Sequence, residues 1–385
     1  MYMKAAGAKM EPWIEISQYR GPLSLISPND TLRAGVDIYQ AVFACLISPK
    51  PFAEIVKRKW GFNHAFLYTE AIDRQQLLIE AQHPANDLAQ TESADCHTLA
   101  LRCWHEPGQE NLNLVLLGKV CASEPENARH MALEYWHGIS TAVPYDYHLA
   151  PLTSPDEYRS LSGIELVKSC QTSSSLIEIR RLETTLFTGH SNIYLLGKWQ
   201  TSERANELLW QAIMDSPKPV LFSVALRPTI LLEYERLALA EMDALAGQAK
   251  QESSPQSIQL EMDWITRFNA ERLQLRRPYL MQCHLAAPSG VSDYFSRIVG
   301  SVFTRSKEGE PDAPGYIISH PGTKEQLACW RDKLVWAEPN LDMGDVLDAR
   351  FARVRYMVGA REANTVFRLP FPPEGGIPGV KFADR

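Results

Sequence analysis

His130, Glu134 and His137 recur at i, i+4 and i+7, so a helix through them carries two imidazoles and a carboxylate along one side. Such a row could ligate zinc or iron, and Glu134-x-x-His137 has the spacing of di-iron bundles. The rest of the wheel argues for a solvated face, because Ala128, Met131, Ala132, Tyr135 and Ile139 fall on the opposite side. Cys96, His97, Cys103 and His105 are also crowded, but "HTLALRCWHE" reads as a strand. His97, Cys103 and His105 can then share one face, and Cys96 leaves it. No G-x-S-x-G or H-E-x-x-H phrase selects a nucleophile or a zinc site. The expectation is no catalytic residue, no resident metal and no cofactor.

Nucleotide hydrolysis has equally little support. A phosphate loop needs G-x-x-x-x-G-K-[ST], whose first glycine opens the loop and whose hydroxyl holds magnesium. Gly118-Lys119 and Gly197-Lys198 lack both the earlier glycine and the hydroxyl, and each reads as a strand ending in a turn. Basic stretches run from Lys57 to Trp60, from Arg272 to Arg277 and from Ala349 to Arg361. Within them Arg276, Arg277, Arg353 and Arg355 could meet phosphate, with Trp60 or Tyr356 stacking on a base. Solvated helix faces explain the same residues.

The formal net charge of −7 argues against a surface built wholly for nucleic acid, though not against a local basic groove. The longest strictly apolar run, Ala41 to Ile47, is far short of the ~20 residues of a spanning helix. The start, "MYMKAAGAKMEPW", has no apolar segment of a secretory signal. The 7 cysteines include no C-x-x-C pair, a usage that fits reduced thiols and a cytoplasmic location.

These groups must be positioned by strands and amphipathic helices. "NLNLVLLGKVCASEPENARHMALEYW" from Asn111 and "SNIYLLGKWQTSERANELLWQAI" from Ser191 both read as strand, Leu-Leu-Gly-Lys, then helix. They suggest two related halves. In the first, Ser123 and Glu126 have capping-box spacing; in the second, Thr201 or Ser202 could cap. A boundary falls near Gly163, after a stretch marked by Pro144, Pro151 and Pro155. "KPVLFSVALRPT" is a buried strand, and Thr229 can cap the helix after it. That helix sets Leu231, Tyr234, Ala238, Met242 and Leu245 on one face. A second helix with Ile258, Met262 and Ile265 completes an αα-hairpin, and "RPYLMQCHLAA" returns as a strand. Leu260, Trp264 and Phe268 form another ridge on the second helix, about 100° from the first, which needs its own cover: this protein's body or another subunit.

The last segment, "FRLPFPPEGGIPGVKF" from Phe367, cannot be a regular helix because of its prolines. Phe367, Leu369, Phe371, Ile377 and Val380 make it too apolar for a solvated tail, so it reads as an extended strap lying on a surface.

Several phrases occur in order: "ALEYWHGISTAVPYDYHLAPLTSPDEYRSLSG", "PVLFSVALRPTILLEYERLALAEMDALA", "RPYLMQCHLAA" and "GAREANTVFRLPFPPEGGIPGV". Together they resemble the non-motor N-terminal region of FtsK/HerA-superfamily ATPases, a group that includes the motors of conjugation and type IV secretion. The resemblance covers roughly residues 110–380. It implies a Leu-Pro-rich strap that runs just ahead of a RecA-like motor, while no nucleotide-binding residue has a counterpart here.

The sequence thus predicts an α+β protein of two sheet-containing halves, 1–163 and 164–345, with a helical hairpin over about 229–275 and a connector strap over 346–385. The expected role is a non-catalytic assembly or regulatory module of a hexameric DNA-translocating ATPase. Expected partners are the motor subunit, further copies of the chain and DNA through the assembly. Leu260, Trp264 and Phe268 are assigned to partner contact, and Phe367, Leu369 and Phe371 to the motor side. The alternatives are a metal-dependent hydrolase or nuclease built on the histidine-rich first half, and a standalone nucleic-acid-binding adaptor.

Overall fold

The computed structural model describes residues 10–19, 37–57, 64–82, 97–187, 192–201, 205–251, 277–304, 314–339, 347–371, 373 and 376–384. The fold is α+β, built on a large antiparallel sheet. Its first-half strands are β1 (Ile14–Gln18), β2 (Tyr39–Pro49), β3 (His97–His105), β4 (Asn113–Ala122) and β5 (Tyr147–Pro151). Helices α1 (Phe52–Lys57) and α2 (His64–Glu80) link β2 to β3, and α3 (Pro125–Ala142) links β4 to β5. The second half supplies β6 (Leu176–Arg181), β9 (Val220–Pro228), β10 (Tyr279–Ala286), β11 (Tyr316–Ser319) and the short β12 (Met357–Val358).

Both halves use one plan. In the first, strands pair in the order β5-β2-β4-β3; in the second, β11-β6-β10-β9. Each is a β-α-β-β-α-β unit in which the third strand slots between the first and second, the split βαβ arrangement of ferredoxin-like units. The helices of the second unit are α6 (Ala205–Met214), before β9, and α8 (Asp293–Phe303), between β10 and β11. The units join edge to edge: β3 pairs antiparallel with β9 from Leu99↔Leu226 to His105↔Val220. This closes the outer edge that each unit would otherwise expose. The sheet is therefore continuous across the halves.

The proposed repeat is displaced by the structure. The counterpart of β4–α3 is β10–α8, whereas the second Leu-Leu-Gly-Lys phrase lies at β8 (Asn192–Leu196). Among the described residues that strand pairs with β7 (Glu183–Phe187) alone, in a two-stranded sheet. A short apolar phrase specifies a strand, not its pairing partner, so phrase similarity carried no topology. Gly118-Lys119 likewise lies inside β4 rather than at its end. A Cβ on Gly118 would sit 2.2 Å from the Phe43 ring of β2, so the missing side chain makes room for that ring.

Helices cover both faces, which is why the strands read as nearly unbroken apolar runs. One face carries α3, α6 and α8 over Phe43, Leu101, Phe222 and Met281. The other is covered by α4 (Pro155–Leu161), α5 (Ile164–Lys168) and α9 (Lys324–Val335), through Tyr158, Ile164, Leu327 and Trp330. Gly163, at the expected boundary, takes φ +75° between α4 and α5. A side chain there would also meet Leu221 at 2.5 Å. A smaller cluster packs α7 (Glu233–Gln251) on β8 and Phe351. Among the described residues no helix is long and apolar enough to cross a membrane.

Two capping expectations give way. Helix α3 starts at Pro125 behind an extended Glu124 with no side-chain cap, so Ser123 and Glu126 form no capping box. Proline at the first helical turn removes one orphan N–H outright. Thr229 does not cap α7; its hydroxyl accepts from Arg353 Nη2 at 2.7 Å, and Glu235 Oε2 takes the Leu232 N–H instead.

Candidate functional site

The strap lies on its own chain. After β12 pairs with β10, helix α10 (Ala360–Val366) turns the chain onto the first half, where Asn364 Nδ2 donates to the Ile72 carbonyl at 2.9 Å. Phe367 and Leu369 enter the main core. Gln75 of α2 then reads the strap as a peptide: it accepts the Leu369 N–H at 3.0 Å and donates to the Leu369 carbonyl at 3.1 Å. The same Nε2 donates to Tyr147 Oη at 2.7 Å. Phe371 fills a pocket beside Phe52 of α1 and Tyr68 of α2, meeting both rings edge-on. Further on, the Leu112 N–H donates to the Lys381 carbonyl and the Ala383 N–H to the Leu112 carbonyl, while Phe382 packs against Trp210 of α6.

Arg181, at the end of β6, anchors the start of this path. Its Nη1 donates to Glu362 Oε1 at 3.0 Å, and its Nη2 to the Arg355 and Met357 carbonyls at 2.6 and 3.1 Å. A guanidinium suits this task because its planar fork holds several acceptors at once. The segment from Val354 to Ala383 thus ties the second half back onto the first.

A second concentration of polar chemistry lies under α9. Lys119 of β4 meets Glu338 Oε2 at 2.7 Å, Tyr19 Oη donates to Glu338 Oε1 at 2.8 Å, and Lys333 Nζ stands 4.0 Å from it. Burial alone would raise the Glu338 carboxyl; the Lys119 and Lys333 ammonium groups outweigh it and bring the pKa to about 2. Glu338 is placed by the end of α9. Its N–H reaches back to the Lys333 carbonyl and the Ala337 N–H to that of Leu334, a Schellman closure with Ala337 at φ +53°. An alanine at that angle is strained by about 1–2 kcal/mol.

The third feature is Arg102 of β3, wholly buried. Its Nη1 donates to the Ser162 carbonyl at 3.0 Å and its Nη2 to the Leu334 carbonyl. These carbonyls end α4 and α9, one helix from each half, so the cation faces the negative ends of two helix dipoles. Burial lowers the Arg102 pKa to about 10, which leaves it charged at neutral pH. Across the sheet from Arg102, register aligns Ser223, His284 and Glu178 on one face. This row has the residue types of a hydrolytic triad but not its geometry. Glu178 accepts from Gln282 at 2.9 Å, His284 packs edge-on against Trp330, and burial lowers its pKa to about 4. The row lies beneath the α5–α9 layer.

The residues singled out from sequence are dispersed. His130 and Glu134 are 73% and 68% exposed and form one 3.6 Å contact on the outer side of α3, where His137 is also exposed. Among the described residues no group of three or more His, Cys, Asp or Glu could hold a metal. His105 bonds the Gln109 carbonyl through Nε2, and Cys103 is buried. Arg353 meets Glu235 at 3.1 Å and Arg355 meets Glu183 at 3.5 Å, both largely buried, so neither guanidinium is presented to solvent phosphate. Arg277 is exposed. Leu260, Trp264, Phe268 and Arg276 lie outside the described residues, as does the second hairpin helix. Phe367, Leu369 and Phe371 are covered by this chain itself.

Sequence reasoning did not find Arg102, Lys119, Gln75, Arg181 or Glu338. The available signal was an Arg or Lys interrupting an otherwise apolar strand, in "LALRCW" and "LLGKVC". No family model matches the chain, and no curated protein matches it.

Proposed function

We propose that this chain is a non-catalytic assembly module working beside a hexameric DNA-translocating ATPase, as its resemblance to the pre-motor region of FtsK/HerA-superfamily proteins suggests. The observation that carries the reading is the docking of the strap. Phe367, Leu369 and Phe371 are buried on the first half, and Gln75 fixes the backbone between them. A strap docked this way holds its described residues at fixed places on the first half, so a protein bound against it takes a defined position relative to the sheet. That property serves assembly, and it needs no turnover by the chain itself. The apolar residues of the strap then serve the motor indirectly, by fixing geometry.

The test is to mix the purified chain with a motor protein that carries G-x-x-x-x-G-K-[ST] and is encoded beside its gene. A co-eluting complex is expected, with ATP hydrolysis dependent on the motor. Phe371→Ala should loosen the strap and weaken the complex, while circular dichroism shows the sheet retained. No complex with such a motor, or ATP turnover or chelator-sensitive DNA cleavage by the chain alone, overturns the proposal.

A further inference from the structure

Arg102 is a fully buried guanidinium that no carboxylate reaches among the described residues. Its two Nη groups are satisfied by helix-end carbonyls, but its Nε–H has no acceptor among the described residues. Two serines adjoin it. Ser223 is its directly paired neighbour on β9, so the two side chains leave the same face of the sheet side by side. Ser162 is the residue whose carbonyl Arg102 already holds. Both serines are buried, and neither Oγ has a hydrogen-bond partner among the described residues. One strand further along the row, His284 Nε2 also has no partner among the described residues.

Buried polar atoms are satisfied in the great majority of cases, and several unsatisfied ones in one place point to a bound species. The chemistry selects its class. A fixed cation with a free N–H and two O–H donors calls for a hydrogen-bond acceptor carrying negative charge. Close packing by Leu221, Trp330 and Leu334 limits it to very few atoms.

We propose that the seam between the two halves holds a small monovalent inorganic anion of halide class, bound by Arg102 Nε–H with the Ser223 and Ser162 hydroxyls. The site joins β3 of the first half to β9 of the second and lies where α4 and α9 end. This inference stands apart from the assembly role, since it concerns only the folded chain.

Crystals of the full chain soaked in bromide provide the direct test. An anomalous peak within hydrogen-bond reach of Arg102 Nε and Ser223 Oγ is expected; a peak only at the surface, or an ordered water in the seam, overturns the proposal. Melting in solution is the second measurement. Replacing gluconate by chloride at constant ionic strength should raise Tm by about 2–4 °C, as a ligand of the native state does. Ser223→Ala, which removes no hydrogen bond that the fold uses, should melt near the parent temperature in gluconate and lose most of the chloride response. An unchanged response in Ser223→Ala also overturns it.

Discussion

On one face of the sheet, Phe43, Leu101, Phe222 and Met281 meet apolar side chains from α3, α6 and α8. On the other, Arg102, Lys119, Glu338 and His284 are buried among leucines and tryptophans under α4, α5 and α9. Apolar contact is non-directional, so the first face tolerates many helix placements of similar energy. A buried charge tolerates one, because every misplacement leaves it unpaired. The difference suggests a division of labour. The apolar face supplies most of the driving force, and the charged face fixes which helix of which half lies where.

Five substitutions would break or sharpen that contrast. Arg102→Ala should have the largest effect, about 4 kcal/mol, since it strands the Ser162 and Leu334 carbonyls and frees α4 from α9. Urea unfolding measures it, and a cost below about 1 kcal/mol would show that Arg102 does not hold the two helix ends together.

Glu338→Gln comes next, and pH separates it from ordinary packing loss. The carboxyl titrates at about 2 in the fold against an ordinary value of 4.5, so its contribution is complete above the unfolded value and fades as pH falls toward 2. The shift corresponds to about 3 kcal/mol, as an order of magnitude. Melting curves from pH 6 to pH 2 should steepen for the parent protein and flatten for Glu338→Gln. Parallel curves would show that Glu338 is not held by Lys119 and Lys333.

Gly118→Ala probes the apolar face. The added methyl collides with the Phe43 ring and should cost about 2 kcal/mol. Phe43→Leu should cost less in the Gly118→Ala background than in the parent, a coupling that a double-mutant cycle reads directly. Full additivity would mean that the two side chains are not in contact. The smallest effect is expected for Ala337→Gly. Relief of the left-handed backbone gains about 1–2 kcal/mol, and loss of a buried methyl gives back about 0.8. A net change within about 1 kcal/mol is expected by chemical unfolding; a large loss would show that the strain was misjudged.

The apolar face was largely legible in the sequence. "KPVLFSVALRPT" and "RPYLMQCHLAA" became β9 and β10, "HTLALRCWHE" became β3, and the predicted inner side of α3 is the buried one, joined by Trp136. Hydrophobic periodicity encodes such faces directly. On α7 the same reasoning placed Ala238 and Met242 inside but also Tyr234, which is half exposed, because Glu235 takes the buried position through its ion pair with Arg353. The charged face was not legible. Nothing around Lys119 or Arg102 in sequence indicates that their partners stand 219 and 60 residues away.

By itself the sequence determined the strands β3, β4, β8, β9 and β10, the apolar side of α3 and the non-helical course of the described residues from Phe367 on, since these follow from local stereochemistry and patterning; helix α10, inside the expected connector of 346–385, was not foreseen. Tertiary structure alone decided that β3 meets β9, that the strap returns to α1 and α2 of its own chain, and that Arg102, Lys119 and Glu338 are buried together with partners. The physical reason is that pairing, register and charge burial depend on contacts between residues far apart in the chain, which no local pattern encodes.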